Sequence, residues 1–561
     1  MNLPVVKSLK EYDFNNIKFD IMSGISVAAI ALPQNMAYAM ILGINPVYGI
    51  YTMIVSMILS SIIGNSNYMI VGATEIIVVT MASNISAIET TNPLQVIFLL
   101  TFLVGIVQVI LGLARLGYLV KFVAHPVVIG LASGVGFIIL SGQMINILGL
   151  KKAQTHIPIM QLVHIFNNIS SINVLTVIIG AVVVASIVVI QKVNKSLPSY
   201  LFGILVSMFV VYLFGWGTEV PLIESFSSAM PKFNMIQFEF DTILPLMSSA
   251  VSIALIGFVQ TLSVIKLLEK NVDEAFPISR EFISQGIVNI VCAFFNSFVI
   301  AGSFAKTFTN TEAGAKSRFS QFFAAIATII IVFLMPPFAK YITKASLAAL
   351  LILISTHVID LQEIKKIFRS ANSDTIIFLA TFLVAVTAPR LDYAVYFGIV
   401  ISIILVLVDS TRVNYSFIDH RNRAENLFFK ESFESVKEDD VIVINLSGDI
   451  YFHTSEEFKK HLESSFVEGK EFVIRMRELG TIDMTSIKEI EKFIEKVQKS
   501  GKDVMLCGLN DEKVKTLERH GIIDKLGEDK IFRKNQCIFA STKDAIEKAE
   551  EYFKNGNSNT K

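Results

Sequence analysis

Apolar segments of membrane-spanning length recur along this chain from about Ile17 to Val408, a pattern that a soluble fold has no means to bury. A helix needs roughly 20 predominantly apolar residues to cross a bilayer, and runs such as Val174–Ile190 and Ile399–Val408 are apolar throughout or nearly so. About fourteen segments are expected, centred near residues 30, 55, 80, 105, 130, 182, 207, 255, 290, 308, 327, 351, 381 and 400. With 53% hydrophobic residues against 17% charged, the lipid bilayer is the expected solvent of most of the chain. Met1–Lys18 is polar, and Ile21–Leu32 runs on into helix without a small-residue cleavage site, so the first segment is expected to be retained.

The segments near 80 and 308 are short, and both follow a glycine: Ile70-Val71-Gly72-Ala73-Thr74-Glu75-Ile76 and Ile300-Ala301-Gly302-Ser303-Phe304-Ala305-Lys306. Short, interrupted apolar helices at corresponding points of two halves mark the substrate site of a secondary carrier. A helix N-terminus offers unsatisfied N–H groups and about half a positive charge, so two such ends at mid-membrane form a cradle for an anion. Gly72, Ala73, Gly302 and Ser303 are small enough to let a ligand reach the backbone; the alternative is helix packing. Each segment also carries one ionisable group, Glu75 and Lys306. An acid at the bilayer centre costs roughly 2.5–3.5 kcal/mol unless paired or neutralised, and Lys306 is its expected partner.

Two readings of that pair stand. Glu75 takes up a proton as an anion arrives, because a neighbouring negative charge favours the neutral carboxyl, or Glu75 is only a fixed structural counter-charge. Lys306 likewise attracts substrate, snorkels to an interface or holds a structural ion pair.

Lysine and arginine bias sets the topology. With the N-terminus in the cytoplasm, Arg115, Lys121, Lys192, Lys195, Lys316, Arg318, Lys365, Lys366 and Arg369 fall in cytoplasmic loops, while Thr218–Asp241 carries Glu219, Glu224, Glu239 and Asp241 against Lys232. Lys151, Lys152, Lys340 and Lys344 run against the rule. The balance puts both termini in the cytoplasm, beneath the cytoplasmic (inner) membrane. A net charge of +0 leaves no nucleic-acid footprint, and Cys292, Cys507 and Cys537 have neither metal nor disulfide spacing. No cofactor, metal, nucleophile–base set or nucleotide-binding loop is expected, so the chain is not read as an enzyme.

Composition shifts after Arg412. Residues 1–412 are read as the membrane domain, 413–440 as a charged linker, 441–553 as a small α/β domain and 554–561 as a polar tail. Val441–Leu446, Phe472–Met476, Val504–Cys507 and Cys537–Ala540 are expected strands. Thr454-Ser455-Glu456-Glu457 reads as a capping box, and helices are expected at Ile487–Val497, Asp511–His520 and Thr542–Phe553. This alternation implies a largely parallel sheet. His453, His461 and His520 are read as surface residues.

Leu32-Pro33-Gln34-Asn35-Met36-Ala37-Tyr38-Ala39, Pro46-Val47-Tyr48-Gly49-Ile50-Tyr51, His125-Pro126-Val127-Val128-Ile129-Gly130 and Glu312-Ala313-Gly314-Ala315-Lys316 resemble the recurring motifs of the SulP family of inorganic anion transporters. The C-terminal domain is similar to the STAS domain those proteins carry. The resemblance implies a polytopic α-helical membrane protein of two inverted repeats of seven transmembrane segments, divided into core and gate domains, followed by a cytosolic STAS domain. It also implies a homodimer, and an anion held by Gln34, Tyr38, Gly72, Ala73, Thr74, Gly302, Ser303, Phe304, Ala305 and Lys306. Gln34 can donate its amide to the anion or bond between helices; Tyr38 and Thr74 can line the cavity or pack.

Departures from the family pattern bear on coupling. Lys306 stands where relatives carry arginine, Ala305 where they carry a hydroxyl, and Glu75 where the segment is otherwise uncharged. Gln260 occupies a position at which relatives often place an acid that helps hold sodium; it is read as a vestigial cation site. In the STAS domain Met484 follows Asp483 where related domains carry a phosphorylatable hydroxyl, leaving Asp483, Thr485 or Ser486 to cap a helix. The expected activity is proton-coupled transport of an inorganic or small carboxylate anion, sulfate first, with bicarbonate or dicarboxylate as alternatives. An anion channel and a proton-coupled nucleobase-type permease are the other readings.

Overall fold

A computed structural model describes residues 12–88, 92–115, 123–151, 153, 157–193, 198–223, 230–238, 240–271, 277–334, 339–370, 372–409, 414–419, 428–430, 440–450, 455–468 and 470–558. Lys121, Lys152, Lys195, Glu224, Glu239, His453, Thr454, much of the expected linker and residues 559–561 lie outside the described residues. The chain divides into two units, Met1–Ile403 and Ile404–Lys561.

The first unit holds helices α1 (Ile17–Ile41), α2 (Val47–Ile63), α3 (Glu75–Ser86), α4 (Pro93–Leu113), α5 (His125–Ile147), α6 (Pro158–Asn167), α7 (Val174–Val193) and α8 (Ser199–Phe214). Its second half holds α9 (Phe240–Asn271), α10 (Ile278–Phe294), α11 (Phe304–Glu312), α12 (Phe319–Leu334), α13 (Lys344–Val358), α14 (Leu361–Ile367), α15 (Asn372–Thr387) and the start of α16 (Asp392–Asp409), which runs past Ile403. A helix stands at every position the apolar pattern predicts. Among the described residues 6 helices are long and apolar enough to cross a membrane by themselves, with shorter apolar helices beside them.

The two halves repeat one plan. In each, two long helices are followed by an extended strand, β1 (Val71–Gly72) or β2 (Ala301–Gly302), that leads into a short helix, α3 or α11. Helix α4 packs on α9 and α10, and its counterpart α12 packs on α1 and α2. Helices α5 and α13 pack on each other, with α15 against α5 and α7 against α13. Helices α1–α4 and α9–α12 thus make one bundle around the two strands, and α5, α7, α13 and α15 belong to a second.

Close backbone approach holds the first bundle together. A Cβ placed on Gly105 of α4 would lie 2.7 Å from the Gly286 carbonyl oxygen, and one on Gly286 of α10 would lie 2.7 Å from the Gly105 carbonyl oxygen. Small residues permit this contact, because packing rather than the hydrophobic effect drives helix association in lipid.

The second unit contains one six-stranded sheet in the order β4-β3-β5-β6-β7-β8. Its members are β3 (Asn414–Asp419), β4 (Phe428–Lys430), β5 (Val441–Ile450), β6 (Glu471–Ile482), β7 (Val504–Leu509) and β8 (Ile531–Arg533). Strands β5 to β8 run parallel, while β3 pairs antiparallel with both β4 and β5. The sheet therefore begins at Asn414, inside the stretch read from composition as linker. Ile442, Ile444 and Leu446 meet α17 (Ser455–Ser464), α18 (Met484–Lys499), α19 (Asp511–Arg519) and α20 (Ile522–Leu526) on one face. Val441 and Val443 meet Ala545, Ile546 and Ala549 of α21 (Ala540–Ser558) on the other, as a parallel sheet covered on both faces requires.

One expected strand is corrected. Cys537–Phe539 is a turn entering α21, and the last strand is Ile531–Arg533. Cys537 and Ile538 are exposed, so the run lacks the buried face that a sheet position needs, and Arg477 Nη1 donates to the Asn535 oxygen at 2.9 Å, bracing the turn. Asp483 is the N-cap of α18: its carboxylate accepts from Ser486 N at 2.9 Å and from the Ser486 hydroxyl at 2.7 Å, while Met484 is exposed. His461 lies 3.7 Å from Glu457, and His520 Nδ1 lies 2.8 Å from the Thr516 oxygen. Neither is a metal ligand in this arrangement.

Two outcomes are expected. Gly286→Val adds branched carbon against the α4 backbone and should cost about 1–3 kcal/mol, seen as a lower detergent melting temperature; an unchanged melting temperature contradicts the close crossing. Burial pushes the Cys507 thiol up to about 12, and Cys537 is exposed. A thiol reagent near neutral pH should therefore label the folded α/β domain at Cys537 and spare Cys507, by peptide mass mapping.

Candidate functional site

A strand inside a bilayer must satisfy every backbone group within the protein, and here the two short strands do so by crossing. Val71 lies opposite Gly302 and Gly72 opposite Ala301 in an antiparallel pair, and Ser303 N donates to the Ile70 oxygen at 3.0 Å. Side chains complete the set. Thr307 Oγ1 accepts from Ile70 N at 2.9 Å, and Gln321 Nε2 donates to the Met69 oxygen at 2.7 Å. Asn289 clasps Ile300 twice, accepting from its N–H at 2.9 Å and donating to its oxygen at 3.0 Å. Thr261 Oγ1 accepts from Gly302 N at 3.3 Å.

This crossing brings together the N-termini of α3 and α11. Their N-cap residues, Thr74 and Ser303, are extended, and neither side chain caps its helix. The Thr74 hydroxyl turns away to donate to Gln260 Oε1 at 2.9 Å. The first-turn N–H groups are thus without a side-chain cap, the arrangement that favours an anion.

Lys306 is buried, 1% exposed. Its ammonium donates to the Ala73 oxygen at 2.6 Å and lies 5.6 Å from the centre of the Tyr38 ring. A Cβ on Gly72 would sit 3.3 Å from the Lys306 nitrogen; the missing side chain is the space through which the lysine reaches the first strand. Snorkelling is therefore excluded. The Tyr38 hydroxyl donates to Glu75 Oε2 at 2.8 Å, and Tyr38 itself is 2% exposed.

The expected Glu75–Lys306 ion pair is corrected by this geometry. Among the described residues no salt bridge within 4.0 Å joins the two. They are linked instead through Tyr38, whose hydroxyl holds the carboxylate and whose ring faces the ammonium. The ammonium prefers the Ala73 carbonyl because that acceptor is fixed by the strand crossing, directly across from the lysine.

The remaining predicted residues are placed as follows. Gln34 is buried one turn before Tyr38 on α1. Ala73 is buried, whereas Phe304 and Ala305 lie on the exposed face of α11, opposite buried Lys306, Thr307 and Asn310. Gln260 touches the first half-helix through Thr74, and its neighbour Thr261 touches the second strand. Sequence reasoning missed Thr261, Asn289, Thr307 and Gln321. Their signal was available: amides and hydroxyls on otherwise apolar helices are retained where they bond to something. Among the described residues no group of three His, Cys, Asp or Glu side chains is placed to hold a metal ion.

Comparison with known proteins agrees with this architecture. The family model of the sulfate permease family matches residues 17–381, and that of the STAS domain matches residues 432–538. The Bacillus subtilis (strain 168) protein YvdB is 24% identical over 545 residues, covering 93% of this chain and 97% of that protein. High affinity sulfate transporter 2 of Stylosanthes hamata is 23% identical, covering 94% of this chain and 84% of that one. Among solved structures, the murine Solute Carrier 26 family member A9 anion transporter in the inward-facing state superposes with a TM-score of 0.87 at 18% identity, covering 98% of this chain and 94% of that chain. The transmembrane domain of the cyanobacterial bicarbonate transporter BicA superposes with a TM-score of 0.61 at 19% identity, over 70% of this chain and 98% of that chain. With two inverted membrane repeats crossing at the cradle and a C-terminal STAS domain, the chain belongs to the sulfate permease family of anion transporters and is not an enzyme.

Proposed function

We propose that the protein is a secondary active transporter that carries sulfate together with a proton across the cytoplasmic membrane. The observation that carries this reading is the linkage of Lys306, Tyr38 and Glu75 between two uncapped helix N-termini. Lys306 and the two helix ends contribute about +2 in total when Glu75 is protonated and about +1 when it is ionised. A dianion is thus matched by the protonated site. At about 4 Å and an effective dielectric of 20 an opposing carboxylate repels a unit anion by about 4 kcal/mol, so binding of the anion and neutralisation of Glu75 favour each other.

Each residue has a part in this scheme. Lys306 attracts the anion, Gln34 and the first-turn N–H groups beyond Thr74 and Ser303 donate to it, and Gly72, Ala73 and Gly302 allow close approach. Tyr38 transmits the state of Glu75 to the lysine through one hydrogen bond. Phe304 and Ala305 line the exposed side of the cradle. Gln260 supplies no charge, so the carrier runs without sodium at that position. The sulfate-transporter name of the Stylosanthes relative supports the choice of anion. The membrane unit forms the transport domain, and the STAS domain takes in the sheet that begins at Asn414 and the last helix, which runs to Ser558. Both termini and the STAS domain lie in the cytoplasm, and the working unit is a homodimer.

Uptake into proteoliposomes under an imposed pH gradient tests the scheme. Uptake by the unaltered protein should rise with acidity on the entry side, and Glu75→Gln should flatten that dependence because the site can no longer exchange its proton. Persistence of the wild-type slope in Glu75→Gln removes proton coupling at this residue. Lys306→Ala deletes a charge-assisted contact worth about 1.5–3 kcal/mol, and should raise the half-saturating sulfate concentration about ten- to hundredfold. A preference for bicarbonate, fumarate or uracil over sulfate in the same vesicles contradicts the substrate assignment.

A further inference from the structure

The half-helix α3 is fastened at its far end to a segment of the second bundle. Ser83 lies near its C-terminus, two turns beyond Glu75, and its hydroxyl accepts from Leu391 N at 2.9 Å and donates to the Pro389 oxygen at 3.4 Å. Leu391 belongs to the short connection between α15 and α16. Arg390 in that connection grips Asp392 with two bonds, Nε to Oδ1 at 3.2 Å and Nη2 to Oδ2 at 2.5 Å. The same Nη2 donates to Ser249 Oγ of α9 at 3.0 Å, and the Ser248 hydroxyl of α9 donates to Asp392 Oδ2 at 3.4 Å. Tyr396 adds a bond to the Ser248 oxygen at 2.6 Å. Asp392 is fully buried.

The counterpart half-helix shows the opposite condition. Residues Ile76 to Met81 of α3 are buried, while Phe304, Ala305 and Phe308 of α11 are exposed, Phe304 by 55%. The repeats are alike in plan, yet the α3 turns that follow Glu75 are covered by protein and the matching turns of α11 are not. The covered one is the one whose end bonds the backbone on either side of Arg390.

We propose that Arg390 and Asp392 are positioning residues for transport, a latch that holds α3 and α9 against the α15–α16 connection and keeps the cradle closed on that side. Three elements meet in the latch: α3, which begins at Glu75; α9, which carries Gln260 and Thr261; and the connection that moves with the second bundle. Exposure of the cradle to the other side of the membrane requires α3 and α9 to part from that connection, and the bonds of Ser83, Ser248 and Ser249 are those that must break. A planar guanidinium bound twice to one carboxylate is preorganised for this, and a hydroxyl at each contact gives bonds weak enough to be remade in every cycle. The proposal needs the family's transport activity and the crossing of the two half-helices; it does not need the proton scheme.

A disulfide and a sidedness measurement test it. In a background with Cys292, Cys507 and Cys537 replaced by serine, the pair Ser248→Cys and Asp392→Cys places thiols where the two side chains now touch. Oxidation should lower sulfate uptake by this variant several-fold below that of its own reduced form, whatever level the loss of Asp392 leaves, and dithiothreitol should reverse that step. Full uptake with the disulfide demonstrably formed overturns the latch, since the two segments then need not separate. In a second arm, a cysteine at Phe308 on the exposed face of α11 is labelled in sealed vesicles by an impermeant thiol reagent from either side. Arg390→Ala should lower labelling from the side now open and raise labelling from the closed side several-fold, and Arg390→Lys should give an intermediate shift. Unchanged sidedness in Arg390→Ala overturns the proposal, and since this arm reads no substrate, it separates failure of the latch from failure of the sulfate assignment.

Discussion

The buried ammonium of Lys306 on the carbonyl of Ala73 ties the two halves of the membrane unit at the point where both backbones are interrupted. A single extended strand at this depth leaves amide groups unsatisfied at several kcal/mol each. Two strands that cross, clasped by Thr307, Asn289, Thr261 and Gln321, satisfy one another. Two short helices then begin with their N-termini at the same place. The facing helix ends are a consequence of how the repeats meet, and the lysine fills the gap that Gly72 leaves beside it.

The same contact explains why the site holds an acid. An unopposed lysine next to two helix ends concentrates positive charge where no solvent disperses it. Glu75, held by the Tyr38 hydroxyl, offsets that charge without binding the ammonium directly. The ammonium sits on a backbone carbonyl and the carboxylate on a phenol.

Much of this was legible from residue order. Apolar runs locate every membrane helix, since each must face lipid or another helix, and the glycine-led segments at 70–76 and 300–306 mark the two half-helices. The Asp483 cap and the parallel strands at Val441, Phe472 and Val504 follow from local pattern. What escaped depends on three-dimensional partners. Whether Lys306 meets Glu75 or a carbonyl is decided by the strand register, which no local pattern encodes. Asn414–Asp419 and Phe428–Lys430 look like linker because their partners lie elsewhere in the chain. Cys537–Ala540 looks like a strand because it is apolar, although Cys537 and Ile538 are exposed and the backbone before Ala540 is held in a turn by Arg477. Thr261 and Asn289 stand out as polar groups on apolar helices, but their partners appear only once β2 is seen between them.

The most direct measurement is the lumenal pH of sealed proteoliposomes that contain the protein and a trapped pH-sensitive dye, after sulfate is added outside with no imposed pH gradient and with membrane potential clamped. If sulfate enters with the proton held at Glu75, the lumen acidifies as sulfate accumulates, and Glu75→Gln abolishes the acidification. Sulfate accumulation with a steady lumenal pH in the unaltered protein would contradict the account.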